Sequence, residues 1–416
     1  MARRAGREPS PRFRIAVIGS AIGAQYLIAT AMSLVIVNHA IGVGAGIGAL
    51  VVIAGQVPSL IVPTVAGWIS DRYGRRTTLA VGTACAVVTA LGWIVGRSDP
   101  VLLAWVSFGI GCSTSIWGSA GVAALIDATS HMEERGQEHA AVVLGWVIDV
   151  GKLIGSAAIA LIAVAHGLGA YSIIVLACAA EYVGMRASQK RVKPAPVTKG
   201  EVASTQHSRP PLGIPEISIL AGFGIIGLAG SQQSSITVFA ASSSHDGLAA
   251  AGIAWAVGAL LGTGALLLAK RLQPWHLWCT PVIFMCGMVG IGWGRFPAIL
   301  GIGVVGFGAA VLWQAYRGMV LTRVPASFRG TYGGMVLTVA TLAQSIGASL
   351  LIGLIPHFGI RNVCDVLGYS CLAGLIPLGY GAQQLAKRAR SSTQDGESGT
   401  PLVATEDGAV IPLEGG

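Results

Sequence analysis

Long apolar runs separated by short polar breaks fill the chain from about residue 14 to residue 386. One helix needs roughly 20 apolar residues to cross the hydrocarbon of a bilayer. Twelve runs meet that measure and predict twelve helices, near 15–38, 45–66, 77–96, 101–127, 140–165, 169–186, 216–240, 248–269, 276–294, 298–322, 331–356 and 363–385. Most of the breaks are short. Two are not: residues 187–215, rich in Lys, Pro and Ser, and the tail from 386, where SSTQDGESGT has the composition of disorder.

The opening MARRAGR followed by an apolar stretch containing Ala29-Thr30-Ala31 imitates a signal peptide and its cleavage site. The apolar run continues well past that point, so the first run reads as an uncleaved helix. Composition then excludes a soluble chain. Hydrophobic residues make up 53%, charged residues 11%, and mean hydropathy is +0.70. An ordinary globular domain carries roughly 25% charged residues, and with fewer than half that share this chain could not cover itself with a wettable surface. The 59 glycines suit membrane helices that approach closely where no hydrophobic effect drives them together. The seven cysteines form no CxxC pair and read as small apolar fillers, with no metal site and no disulfide framework implied.

Charge sets the orientation. With both ends inside, 22 of the 27 Lys and Arg fall in cytoplasmic segments, three (Arg97, Arg295, Arg361) lie outside, and two (Lys152, Arg317) are intramembrane. That asymmetry favours insertion with both termini cytoplasmic. The net charge of +9 is dispersed through the loops, so it calls for no nucleic-acid partner.

The long basic loop divides the twelve runs evenly, and traces of a duplication appear on either side of it. The fourth run exits through ATSHMEERGQ (128–137) and the tenth through TRVPASFRGT (322–331), aligning Arg135-Gly136 with Arg329-Gly330. After the second run stands GWISDRYGRR; after the eighth, GALLLAKRLQPW keeps Gly264, Lys270 and Arg271 but has no acid. At Gly67, Asp71, Arg72, Gly74, Arg75 and Arg76 the first of these resembles the loop motif of the major facilitator superfamily, and the span count and middle loop agree over nearly the whole chain. The resemblance implies two pseudo-symmetric six-helix bundles. Its divisions here are a cytoplasmic N-terminus (1–13), a first bundle (14–186), a linker loop (187–215), a second bundle (216–385) and a disordered cytoplasmic tail (386–416).

Topology alone explains Arg72, Arg75 and Arg76 but not Asp71, since acids contribute little to orientation. A carboxylate beside a helix start can accept from its unpaired amides, strengthened by the helix dipole. In the resembling family this acid caps the eleventh helix, here near Gly330 to Tyr332, and a motif arginine pairs with an acid ending the fourth helix, here Arg75 with Asp127. Together they would form a cytoplasmic gate.

A charge at mid-bilayer costs about 2.5 to 3.5 kcal/mol on insertion scales, so intramembrane ions need a reason. Asp149 and Lys152 share one face of the fifth helix, on the order of 15 Å inside it. Three readings stay open for the pair: a structural ion pair, a protonatable coupling site or a substrate contact. Glu181, close to the inner end of the sixth helix, reads as reaching the interface by snorkelling, with a proton role as the alternative. His39 reads as interfacial. Gly145, Gly151 and Gly155 are similar to the family's fifth-helix exporter motif, but Ser156 stands where that motif has proline.

By resemblance, helices one, four, seven and ten line a central cavity. They would offer Gln25 and Tyr26; Ser115, Trp117 and Ser119; Gln232 and Gln233; and Trp313, Gln314, Tyr316 and Arg317. Aromatic faces with amides suit a partly apolar ligand. Arg317 cannot shed its charge and needs an acid, carbonyls or an anionic ligand. The expected function is a proton-coupled exporter of a small amphipathic compound, working as a monomer in an inner or plasma membrane, with no cofactor. Import of a small organic anion or sugar-like solute is the rival within that class. A transport-silent receptor would be expected to carry a soluble domain that the short loops do not supply. An enzyme would be expected to show a motif such as HExxH or GxSxG, and none is present.

Overall fold

The computed structural model of the chain describes residues 11–43, 45–96, 99–130, 132–164, 168–188, 213–229, 246–269 and 272–397, with the pairs 403–404 and 410–411. The described residues group into twelve helical stretches. The first six are α1 (Pro11–Val43), α2 (Ala45–Tyr73), α3 (Arg75–Gly96), α4 (Pro100–Thr129), α5 (Glu134–Val164) and α6 (Leu168–Ala187). The second six are α7 (Ile214–Ala229), α8 (Asp246–Leu268), α9 (Trp275–Ile291), α10 (Arg295–Met319), α11 (Arg329–Phe358) and α12 (Ile360–Glu397). Seven stretches among the described residues are long and apolar enough to cross a membrane, while those in α7 and α9 are shorter. Twelve crossings were expected; the sixteen residues after α7 lie outside the described set, and the start of α5 carries the charges of EERGQE.

Local chemistry marks the ends. Asp99 caps α4 by accepting from Val101 N at 2.8 Å, with Pro100 at the first helical position. Between α2 and α3 the chain spends a single residue: Gly74, at φ 103°, turns in the left-handed region where a side chain would be strained. Most of the motif that reads as a loop in the sequence is thereby wound into the last turn of α2 and the first of α3. The last helix also overruns its expected end at 385, continuing to Glu397 through helix-forming Lys and Arg residues. An antiparallel pair of two-residue strands, Val403–Ala404 with Val410–Ile411, lies beyond it in the expected disordered tail.

Helices α1 to α6 pack mainly on one another, as do α7 to α12. In the first bundle α1 lies on α5 and α6, and α4 lies on α2 and α3; in the second, α10 lies on α8 and α9, and α7 on α11 and α12. Four pairs cross between bundles: α2 with α11, α4 with α11, α5 with α8, and α5 with α10. Large apolar side chains such as Val88, Leu261 and Ile376 point outward, which bilayer hydrocarbon permits because it is as apolar as they are.

The α2–α11 crossing is a contact of backbones. A Cβ on Gly67 would meet Gly330 O at 2.1 Å, and one on Gly334 would meet Pro63 O at 2.1 Å. Farther along, Thr64 and Thr338 share a hydroxyl hydrogen bond of 2.9 Å, and Ser345 Oγ donates to Gln56 Oε1 at 3.4 Å. Gly67→Ala is therefore expected to push the helices apart, at about 1 to 3 kcal/mol for an overpacked contact. The expected readout is a lower thermal unfolding midpoint in detergent and a lower cross-linking yield between cysteines placed at Thr64 and Thr338; wild-type values for both would refute it.

Candidate functional site

Helix α11 begins with no side chain of its own capping it: Phe328 occupies the cap position and makes no such bond. Its first amides are instead met from the other bundle. Asp71 Oδ1 accepts from Gly330 N at 3.1 Å, and Asp71 Oδ2 from Thr331 N and Thr331 Oγ at 2.7 Å each. The carboxylate thus serves as a cap in trans, where the dipole of α11 adds to the attraction.

Around it lies a closed ionic set. Arg75, fully buried, donates through Nη1 to Asp71 and to Ser70 Oγ (3.0 Å), through Nη2 to Ala326 O at 3.0 Å, and through Nε to Asp127 Oδ2 at 2.9 Å. The second oxygen of Asp127 accepts from Arg329 Nη1 at 2.7 Å. Arg329 also donates to Thr322 O (3.1 Å) and Val324 O (3.2 Å). Two guanidiniums face two carboxylates, so the buried cluster is neutral, which is the condition for sinking charge at tolerable cost. Gly330 and Thr331 fall within the stretch that Asp71 was expected to cap; Arg329 was missed as a member of the cluster, and the signal that could have found it is that it precedes Gly330 at that helix start.

Arg72 and Arg76, expected at the gate, take no part in the contact between bundles. Arg72 lies over the rings of Trp68 and Tyr73, at 5.6 and 5.9 Å. Arg76 donates to the carbonyls of Arg186 and Ser188, and Arg14 donates to Ala187 O at 3.2 Å. Both therefore serve the otherwise unpaired carbonyl end of α6, Arg14 from the start of α1 and Arg76 from the first turn of α3, which points it there rather than across the seam.

A second set of ions occupies the crossings of α5. Asp149 Oδ2 accepts from Thr263 Oγ of α8 at 2.7 Å, and Asp149 Oδ1 from Lys152 Nζ at 3.4 Å. The ammonium also sits 4.3 Å from the centre of the Trp255 ring and 5.3 Å from that of Tyr26. Arg317 donates to Gln314 Oε1 at 3.0 Å, lies 5.7 Å from the Trp313 ring, and is under the electrostatic influence of Tyr26 and Asp149. Gly145 gives the room: a Cβ there would meet Gln314 Cδ at 1.9 Å. Two cations thus face one acid at the place where the bundles meet. Phe223, Trp313 and Tyr316 pack edge to face beside them, at 5.0 and 5.2 Å.

Four expected cavity residues turn elsewhere. Gln25 points into the first bundle, toward Ser113 and Thr114, because its neighbour Tyr26 takes the seam and adjacent helical residues point about 100° apart. Trp117 is fully buried in that bundle, close to where Cβ atoms on Gly82 and Gly184 would fall. Ser115 bonds Ser59 at 3.3 Å, and Ser119 turns back to Ser115 O at 2.9 Å. A π turn over Trp117–Gly121 changes the phase of α4 here, leaving Gly118, rather than Trp117, beside Leu337 of α11. Glu181 does not snorkel; it is fully buried. Tyr316 is buried in the second bundle. Gln232 and Gln233 lie outside the described residues, as does the side chain of His39.

Comparison with known proteins gives a consistent match. The sequence matches the Major Facilitator Superfamily over residues 15–348. Among solved structures, the human organic anion transporter MFSD10 (TETRAN) is similar at a TM-score of 0.70 and 16% identity, covering 89% of this chain and 100% of its own. The E. coli fucose:proton symporter FucP is similar at 0.65 and 14%, covering 91% and 99%. The proton:xylose symporter XylE, bound to 6-bromo-6-deoxy-D-glucose, is similar at 0.65 and 13%, covering 89% and 95%. Among curated proteins, none matches.

Proposed function

The chain belongs to the major facilitator superfamily, a family of membrane transporters, and from that premise we propose that it is a proton-linked exporter of a small amphipathic compound bearing a negative group. The observation that carries the substrate class is the charge count at the seam among the described residues: Lys152 and Arg317 against Asp149, with Trp255, Trp313 and Tyr26 around them. An anionic group on the ligand would complete that count, and the rings would hold an apolar remainder. The Asp71–Arg75–Asp127–Arg329 cluster would then close one mouth, which the dispersal of basic loop residues assigns to the cytoplasmic side. Alternating access follows if the cluster breaks and reforms as substrate crosses.

Uptake is the second reading. It is favoured by the likeness to structures named as proton symporters and by Ser156 in the place of the exporter motif's proline. Inverted vesicles carrying the protein, given an imposed pH gradient and a panel of labelled organic anions, separate the two: accumulation inside such vesicles supports export, and extrusion supports uptake. No gradient-driven movement of any member would defeat the proton-linked reading.

Arg317→Gln tests the anion. Losing one charge-assisted hydrogen bond of about 1.5 to 3 kcal/mol is expected to raise KM for carboxylated substrates at least about tenfold and leave uncharged analogues nearly unaffected. Equal losses on both would remove Arg317 from the binding site.

A further inference from the structure

One acid remains without a role. Glu181 of α6 is fully buried inside the first bundle, away from both ionic clusters. Gln25 of α1, Thr83 of α3, and Ser113 and Trp117 of α4 surround it. None of these is charged. The titratable group nearest it on its own helix is the Cys178 thiol, and among the described residues no Lys, Arg, His or Asp faces it.

The contact with Gln25 bears on its protonation. One amide atom of Gln25 lies 2.5 Å from Glu181 Oε1. With its nitrogen on that side Gln25 donates to Glu181 Oε1 and to Ser113 Oγ (3.0 Å), and its oxygen accepts from Thr114 N (3.2 Å) and Thr114 Oγ (3.1 Å). Glu181 Oε1 therefore accepts from an amide and not from a cation, and an ionised carboxylate so placed in the bilayer interior is costly, which favours a proton on Oε2. On the other oxygen the geometry is open: Glu181 Oε2, Trp117 Nε1 and Thr83 Oγ are all buried, and none completes a hydrogen bond. Asp149 is the opposite case, with the Lys152 ammonium 3.4 Å from one oxygen and Thr263 Oγ donating to the other at 2.7 Å.

We propose that Glu181, rather than Asp149, is the site that binds and releases the transported proton. In the conformation described here Glu181 Oε1 accepts from the Gln25 amide and Oε2 carries the proton. On release, Glu181–COOH gives a proton to water and becomes Glu181–COO⁻, and the two idle donors, Trp117 Nε1–H and Thr83 O–H, close on Oε2. Trp117 opens the π turn whose Gly118 touches Leu337 of α11, and Gln25 precedes Tyr26, which faces Lys152. The proton state of Glu181 therefore reaches the seam along α1 and α4.

This inference rests on the proton-linked reading, and its test is chosen to fail separately from it. Infrared difference spectra of the purified full-length protein, taken across a pH titration, should show the C=O stretch of a protonated carboxyl that is missing in Glu181→Gln. In proteoliposomes the same variant should exchange labelled for unlabelled substrate at the wild-type rate while gradient-driven accumulation falls to the equilibrium level. If Glu181→Gln fails to fold, Trp117→Phe takes its place. Removing a donor to the ionised form should move the pH profile of net transport to the alkaline side and spare exchange. An unchanged carboxyl band, or full gradient-driven accumulation in Glu181→Gln, overturns the assignment. A wild-type protein that shows the band but no proton-driven transport would instead overturn the reading under "Proposed function" and, with it, the coupling role of Glu181.

Discussion

Asp127→Ala is expected to abolish most transport and to leave the mouth beside Asp71 largely open. The carboxylate is 7% exposed and joins two guanidiniums from different bundles, Arg75 at 2.9 Å and Arg329 at 2.7 Å. Without it, two buried cations face Asp71 alone. Removing one partner of a buried pair costs about 3 to 5 kcal/mol, because the remaining charge stays desolvated. A loss near 3 kcal/mol from the closed state alone lowers its population relative to the open state by about 100-fold. Cysteines at Thr64 and Thr338, in a background freed of the native ones, should then cross-link far less than in the parent. A second variant separates charge from folding: Asp127→Ala combined with Arg329→Met removes one cation with the acid and should recover part of the cross-linking. A parental yield in Asp127→Ala alone would show that the cluster does not hold the bundles together.

Asp71→Asn should act more gently, slowing turnover several-fold in protein that still folds and inserts. The amide keeps one oxygen for Gly330 N or Thr331 N but loses the charge that Arg75 and the start of α11 both see. Hydrogen bonds to a charged group are worth about 1.5 to 3 kcal/mol, and the variant gives up part of that for several donors at once. Initial rates in proteoliposomes, at matched protein content, test it. A parental rate would take Asp71 out of the conformational cycle even though its geometry stands.

Much of this arrangement was legible before any coordinates. Asp71, Arg75 and Asp127 stand out because each is an ion in apolar surroundings, and the motif gives them a common destination. Helix positions were legible from hydropathy for the same reason. What the sequence withheld was rotation. A helix apolar all round carries no amphipathic phase, so nothing in Ile22 to Leu27 reveals that Gln25 enters the first bundle while Tyr26 takes the seam. The π turn after Ile116 breaks the helical period itself, which is why Trp117 was assigned to the wrong surface. Glu181 misled for a third reason. Distance from a helix end suggests that an acid can escape to the interface, but only the neighbouring helices decide whether a path exists. Thr263 was invisible because a lone threonine in an apolar run carries no signal until Asp149 is placed opposite it.

The bare crossing of α2 and α11 has a mechanical consequence. Where Gly67 meets Gly330 and Pro63 meets Gly334, no knobs enter holes, so parting the two rods need not disengage interlocked side chains one by one. Smooth surfaces of this kind slide and separate with little rotamer rearrangement, and re-dock in the same register without a search. Resistance to opening then comes from polar bonds rather than interlocked side chains: the ionic cluster at one end, Thr64–Thr338 and Ser345–Gln56 along the rods, and Asp149–Thr263 at α5.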